Sequence, residues 1–228
     1  MNRRPEVFLI LLGAASALGF SVWQALLNNY AIEQAAFTGR VIGILQSLRE
    51  VPGFLAFTTV FVLLVLREQT FAVLSVAVLG LGVALTGLMP SEYGLYFATV
   101  LMSVGFHYFH TVQQSLTMQW IEKERTPEVM GRISAASSIA ALLAFATVWA
   151  GMEFFGLEYR GLYLMAGGAV IALSVVASLM FPRFEQQVPQ RKHLLMRRRY
   201  WLYYALTFMS GARRQIFMVF AGFLMVEK

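Results

Sequence analysis

Cysteine and aspartate are both missing from this sequence. Without cysteine there are no disulfide frameworks, thiolate metal sites or cysteine nucleophiles, and the redox compartment is left open. Without aspartate, any chemistry that needs a carboxylate falls to the twelve glutamates. Charge of either sign is scarce: 13% of the residues are ionisable acids or bases of the Asp, Glu, Lys and Arg types, against about 25% in an ordinary soluble domain. Apolar residues reach 58%, above the usual figure of about 45–50%. Water is not the principal solvent of such a chain.

The apolar residues fall in long runs. A helix needs roughly 20 apolar residues to cross about 30 Å of hydrocarbon, and stretches of that length recur at about 7–29, 41–66, 70–89, 93–121, 133–152, 161–181 and 200–226. The opening Met1-Asn2-Arg3-Arg4 followed by Val7 to Ile32, a run without a charge, reads as a retained first spanning helix rather than a cleaved leader, because further apolar segments follow. Small residues recur inside the runs, as in Gly13-Ala14-Ala15-Ser16-Ala17 and Ser134-Ala135-Ala136-Ser137-Ser138. Faces of this kind let membrane helices approach closely. The expected fold class is therefore all-α, a polytopic membrane helix bundle.

The net charge of +6 does not point to nucleic acid, because the basic residues sit in short segments between apolar runs rather than on one polar domain. With the N-terminus inside, one side of the membrane carries Arg3, Arg4, Arg67, Lys123, Arg125, Arg132, Arg183, Arg191, Lys192, Arg197, Arg198 and Arg199. The other carries only Arg40, Arg160 and Lys228. Twelve against three is the asymmetry expected of an N-in protein. The expected organisation is a six-helix transmembrane domain over 1–181, a basic cytoplasmic linker over 182–199 whose charges rest on anionic headgroups, and over 200–228 a seventh helix, the first of an incomplete second domain.

That seventh helix is weakly similar to the first: with Leu206 set on Leu12, Ser210 falls on Ser16 and Glu227 on Glu33. Six helices, a basic central loop and a seventh helix similar to the first resemble the major facilitator superfamily of secondary transporters, which are built from parallel six-helix repeats. The best local match is Trp120-Ile121-Glu122-Lys123-Glu124-Arg125-Thr126-Pro127-Glu128-Val129-Met130-Gly131-Arg132, which is similar to the family's short loop between helices four and five. The Gly-x-x-x-Asp-Arg-x-Gly-Arg loop between helices two and three is absent; only Arg67-Glu68-Gln69 separates those spans. The fifth span also lacks a Gly-Pro motif and the fourth an arginine, so the resemblance carries no expectation of multidrug efflux. It implies alternating-access transport of a small solute, coupled to an ion such as the proton, in a bacterial cytoplasmic (inner) membrane with the N-terminus inside, no cofactor, and the remainder of a second half as partner.

Ionisable side chains at membrane depth are costly, by about 2.5–3.5 kcal/mol on insertion scales, and usually face a bundle interior or a wet cavity. Arg49 and Glu50 lie in the second span, Glu50 ten residues, or about 15 Å, from Arg40. Being adjacent, they point about 100° apart on a helix, so each is expected to find its partner on another helix. Pro52-Gly53 directly after them would loosen the backbone and allow a bend. In the fourth span His107, His110, Thr111 and Gln114 follow the i, i+3, i+4, i+7 spacing and form one polar face. That face reads either as interhelical hydrogen bonding or as a cavity wall that binds substrate or carries protons. In the family that the chain resembles the first and seventh helices line the central path, which implies that Arg213 or Arg214 in the seventh span would suit an anionic group on the substrate, held bidentately, or else neutralise a glutamate. Trp23, Phe106, Tyr108 and Phe109 read as packing or interface anchors. The alternatives from other classes are a membrane-embedded metal-dependent enzyme using His107-x-x-His110 as ligands and a membrane scaffold subunit that does not transport.

Overall fold

The computed structural model describes residues 4–185, 198–203, 205, 206 and 209. The chain divides into two compact units, Met1–Lys192 and His193–Lys228. In the first unit the helices are α1 (Pro5–Ala35), α2 (Gly39–Phe54), α3 (Thr59–Leu63), α4 (Glu68–Thr86), α5 (Glu92–Trp120), α6 (Thr126–Phe155) and α7 (Tyr159–Met180), with a 3-10 turn at Leu55–Thr58 between α2 and α3. In the second, a 3-10 turn at Arg198–Tyr200 leads into helical residues 201–203. No strand occurs among the described residues. Most of the expected linker 182–199 and of the expected seventh helix 200–228 lies outside them.

The protein is all-helical, and α1, α4, α6 and α7 are long and apolar enough to cross a membrane, with mean hydropathies of 1.8, 1.9, 1.8 and 2.1 over their most apolar windows. The other two segments read as spans differ for physical reasons. α5 is an unbroken helix of 29 residues, but its histidines, glutamines and threonines keep it out of that set. The stretch 41–66 is not one helix. Pro52 has no N–H to offer the preceding turn and Gly53 adds backbone freedom; α2 stops at Phe54, and the 3-10 turn and five-residue α3 complete the segment.

The helix ends follow from local chemistry. Pro5 and Pro127 open α1 and α6, where the missing N–H has no intrahelical partner to lose. Ser91 caps α5 by accepting a hydrogen bond from the Gly94 N–H at 3.2 Å. Gly156, at φ 59°, ends α6 in the left-handed conformation, with the Leu157 N–H donating to the Gly151 carbonyl at 2.9 Å.

α4 packs chiefly against α5 and α7, α1 against α6 and α7, and α2 against α5. The closest approach is at Gly105 on α5, where a Cβ would overlap the backbone of Ser75 and Leu79 on α4. In the first small-residue run, Gly13, Ala15 and Ser16 are buried as expected of a packing face. The second run differs: Ser134, Ala135 and Ser138 are exposed. α6 meets its neighbours along one narrow stripe, Val129, Ile133, Ala140, Ala144, Val148 and Gly151, and presents a wide apolar face outward.

Aromatic clusters mark the two ends of the bundle. At one end the Phe8 ring lies 5.9 Å from Trp120 and 5.6 Å from Phe181, and Trp120 lies 5.0 Å from Phe184. At the other Tyr30 meets Tyr159 at 5.4 Å and Tyr163 at 5.3 Å, and the Tyr159 hydroxyl donates to Glu33 at 2.9 Å. The first end gathers the start of α1, the start of α4, the end of α5, the start of α6 and the end of α7, and with them Arg4, Arg67, Lys123, Arg125 and Arg183. Arg40 and Arg160 belong to the other.

Candidate functional site on α2 and α5

α5 buries one face, Met102, Phe109, Val112 and Leu116, in the core and leaves another open. On the open face His107 is half-buried, and His110, Thr111, Gln114 and Met118 are exposed. The polar stripe read from the sequence is thus one continuous surface. Within it the Thr111 hydroxyl donates back to the His107 carbonyl at 2.9 Å, and the His110 ring stands against Phe106 at 4.5 Å and Phe109 at 5.7 Å. Phe106 in turn stacks on Phe20 of α1 at 4.5 Å.

α2 lies across this face and is tied to it at three levels. The Ser103 hydroxyl donates to the Arg49 carbonyl at 2.5 Å. One turn on, the His107 ring covers Gly53, so that a Cβ there would stand 2.7 Å from Cε1 and 3.0 Å from Nε2. At the 3-10 turn, Thr58 Oγ1 donates to the Leu55 carbonyl at 2.7 Å and shares a 2.5 Å hydrogen bond with the Tyr108 hydroxyl. The break after Pro52-Gly53 is therefore held in place by α5.

Arg49 and Glu50 lie here on α2, one turn before Gly53, the glycine on which the His107 ring rests. The two adjacent side chains, expected to turn to partners on other helices, bond each other: Arg49 donates through Nε at 3.0 Å and through a terminal guanidinium nitrogen at 2.5 Å to one Glu50 oxygen. A guanidinium on a long, jointed stem swings across the angle that separates the two Cβ vectors. The pair is about a quarter exposed, at 25% and 28% of the side chains. Of the expected site residues, Arg49 and Glu50 pair one turn from the contact of His107 with Gly53, His110 and Gln114 continue the His107 face, and Arg213 and Arg214 lie outside the described residues. Trp23 and Phe109 are fully buried packing residues.

Several polar residues escaped the sequence reading. Gln113, not Gln114, is buried, and its amide donates to the Leu9 carbonyl of α1 at 3.0 Å; its register with Phe109, Val112 and Leu116 is the signal that places it inward. Glu68 is buried at the start of α4, accepting from Gln119 at 2.7 Å and Ser115 at 3.2 Å on α5. Glu6 is buried beside Arg125 at 2.7 Å, with Arg132 at 3.8 Å, while Arg132 also pairs with Glu128 at 2.6 Å. The loop Trp120 to Arg132 is thus fastened to the first turn of α1.

Chemically, the α2–α5 face offers an ion pair, two imidazoles, a hydroxyl and an amide. Such a surface can hold a polar solute and pass protons. Among the described residues no three His, Cys or carboxylate side chains gather closely enough to ligate a metal ion. No family model and no curated protein matches the chain.

Proposed function

We propose that this helical unit is one half of a secondary transporter of the major facilitator kind, moving a small solute by alternating access with proton coupling. The observation that carries this reading is the Arg49–Glu50 ion pair on α2, one turn from the Gly53 on which the His107 ring of α5 rests. Polar groups at membrane depth are costly against lipid and are kept where they line a solute path or relay protons. The open stripe His107, His110, Thr111 and Gln114 then lines the path. Metal-dependent chemistry at His107 and His110 has less support, since two imidazoles without a third ligand make a weak site.

The test is reconstitution of both halves of the transporter together into vesicles under an inward proton gradient, with solutes first chosen by their effect on the melting temperature of the purified protein. Saturable accumulation that collapses with a protonophore is expected. Solute flux indifferent to the gradient would sink proton coupling, and no flux for any stabilising solute would leave a scaffold as the better reading.

The same reading places the basic end of the bundle in the cytoplasm of a bacterial inner membrane, with the N-terminus inside. Lys123 and Tyr93 are both exposed, Tyr93 at 83%, and lie at opposite ends of α5. In intact cells an impermeant maleimide should label Tyr93→Cys and spare Lys123→Cys, with no background because the chain has no cysteine. The reverse pattern would invert the orientation.

A further inference from the structure

At the basic end of the bundle a cavity of about 410 Å³ opens between the start of α4, the end of α5 and the segment that follows α7. Its wall is built rather than incidental. Gln69 uses both ends of its amide on the strap after α7: Nε2 donates to the Pro182 carbonyl at 2.9 Å, and Oε1 accepts from the Phe184 N–H at 3.0 Å. That clamp sets Phe184 against Trp120 and brings Arg183 to the cavity that Arg67 lines from the opposite segment. Thr70 adds a hydroxyl and Glu185 a single carboxylate. Arg67 and Arg183 are both exposed, and among the described residues neither forms an ion pair with a carboxylate.

We propose that this cavity binds the phosphate headgroup of an anionic phospholipid. Two guanidinium groups converging from segments far apart in sequence match the planar, multi-oxygen geometry of a phosphodiester. A lipid rather than free phosphate is favoured by what flanks the arginines. Val65, two residues before Arg67, is 85% exposed, and Leu179, four before Arg183, is 80% exposed, so both chain segments continue from the charged cavity onto apolar surface that acyl chains can follow. The site is separate from the α2–α5 face and does not depend on its role.

Native mass spectrometry of the whole protein, purified in mild detergent and titrated with phosphatidylglycerol or phosphatidylcholine, tests the assignment. Phosphatidylglycerol should bind in preference, with affinity falling about fivefold on Arg67→Gln or Arg183→Gln and about thirtyfold in the double variant, the scale for one and two interfacial basic residues. Arg160→Gln, at the other end, should leave the preference unchanged. The melting temperature without lipid serves as the folding check; if the double variant fails it, the two single variants carry the test. Equal binding of both lipids, or no loss in the folded arginine variants, would overturn the proposal. So would displacement of phosphatidylglycerol by millimolar inorganic phosphate, which would make the site one for the free ion.

Discussion

Glu50→Gln and His107→Asn should each abolish gradient-driven accumulation, by about a hundredfold or more, the scale on which loss of a positioned proton-transfer group is felt, while leaving the folded protein in the membrane. Glu50 is the residue on which Arg49 closes, through two nitrogens onto one oxygen, and His107 rests on Gly53 one turn further along the same helix. A loss of transport in Glu50→Gln alone has two explanations. The carboxylate could move protons, or its removal could strand the Arg49 cation at a depth where an uncompensated arginine costs about 2.5–3.5 kcal/mol. The double variant Arg49→Gln with Glu50→Gln separates them, because it removes the Arg49 cation together with the carboxylate on which it closes. If Glu50 couples transport, the double variant stays inactive although its melting temperature recovers. Wild-type accumulation in the double variant would make the pair a structural fastening, and wild-type accumulation in His107→Asn would remove the imidazole from the path.

The long apolar helices were legible because crossing hydrocarbon needs length and apolarity, and both can be read from composition without knowing any partner. The division of 41–66 was foreshadowed by Pro52-Gly53, although the 3-10 turn itself depends on Thr58 and Tyr108 meeting from positions 50 residues apart. The stripe on α5 was legible because a single helix period fixes which residues share a face. That same period should have set Gln113 apart from Gln114, since adjacent positions differ by about 100°. It says less at Arg49 and Glu50, which bond each other although their Cβ atoms diverge, because the direction of Cβ does not fix the end of a long side chain. Glu6 and Glu68 were not legible at all: Arg125 and Gln119, which hold them, are brought near only by packing. Their burial shows that much of the polar chemistry at the basic end fastens helix ends together rather than lining a path.

Gly53→Val should destabilise the protein by about 1–3 kcal/mol, the usual range for forcing extra methyl groups into a packed contact, and His107→Ala should relieve most of that loss. The three ring atoms of His107 nearest to Gly53 lie 2.7, 3.0 and 3.1 Å from where its Cβ would stand, so the imidazole rests directly on the glycine. Alanine could be met by a small tilt of the ring; valine adds two more carbons and cannot. Gly43, on the same helix with nothing within 4 Å of a Cβ, supplies the control: Gly43→Val carries the same change in backbone propensity without the contact and should shift stability little. Melting temperatures of the two single variants and their combination form a double-mutant cycle, in which touching residues couple by about 0.5–3 kcal/mol and distant ones add within about 0.3–0.5 kcal/mol. A cycle that closes additively would mean that the imidazole does not rest on Gly53, and the α2–α5 contact on which the transport reading depends would have to be redrawn.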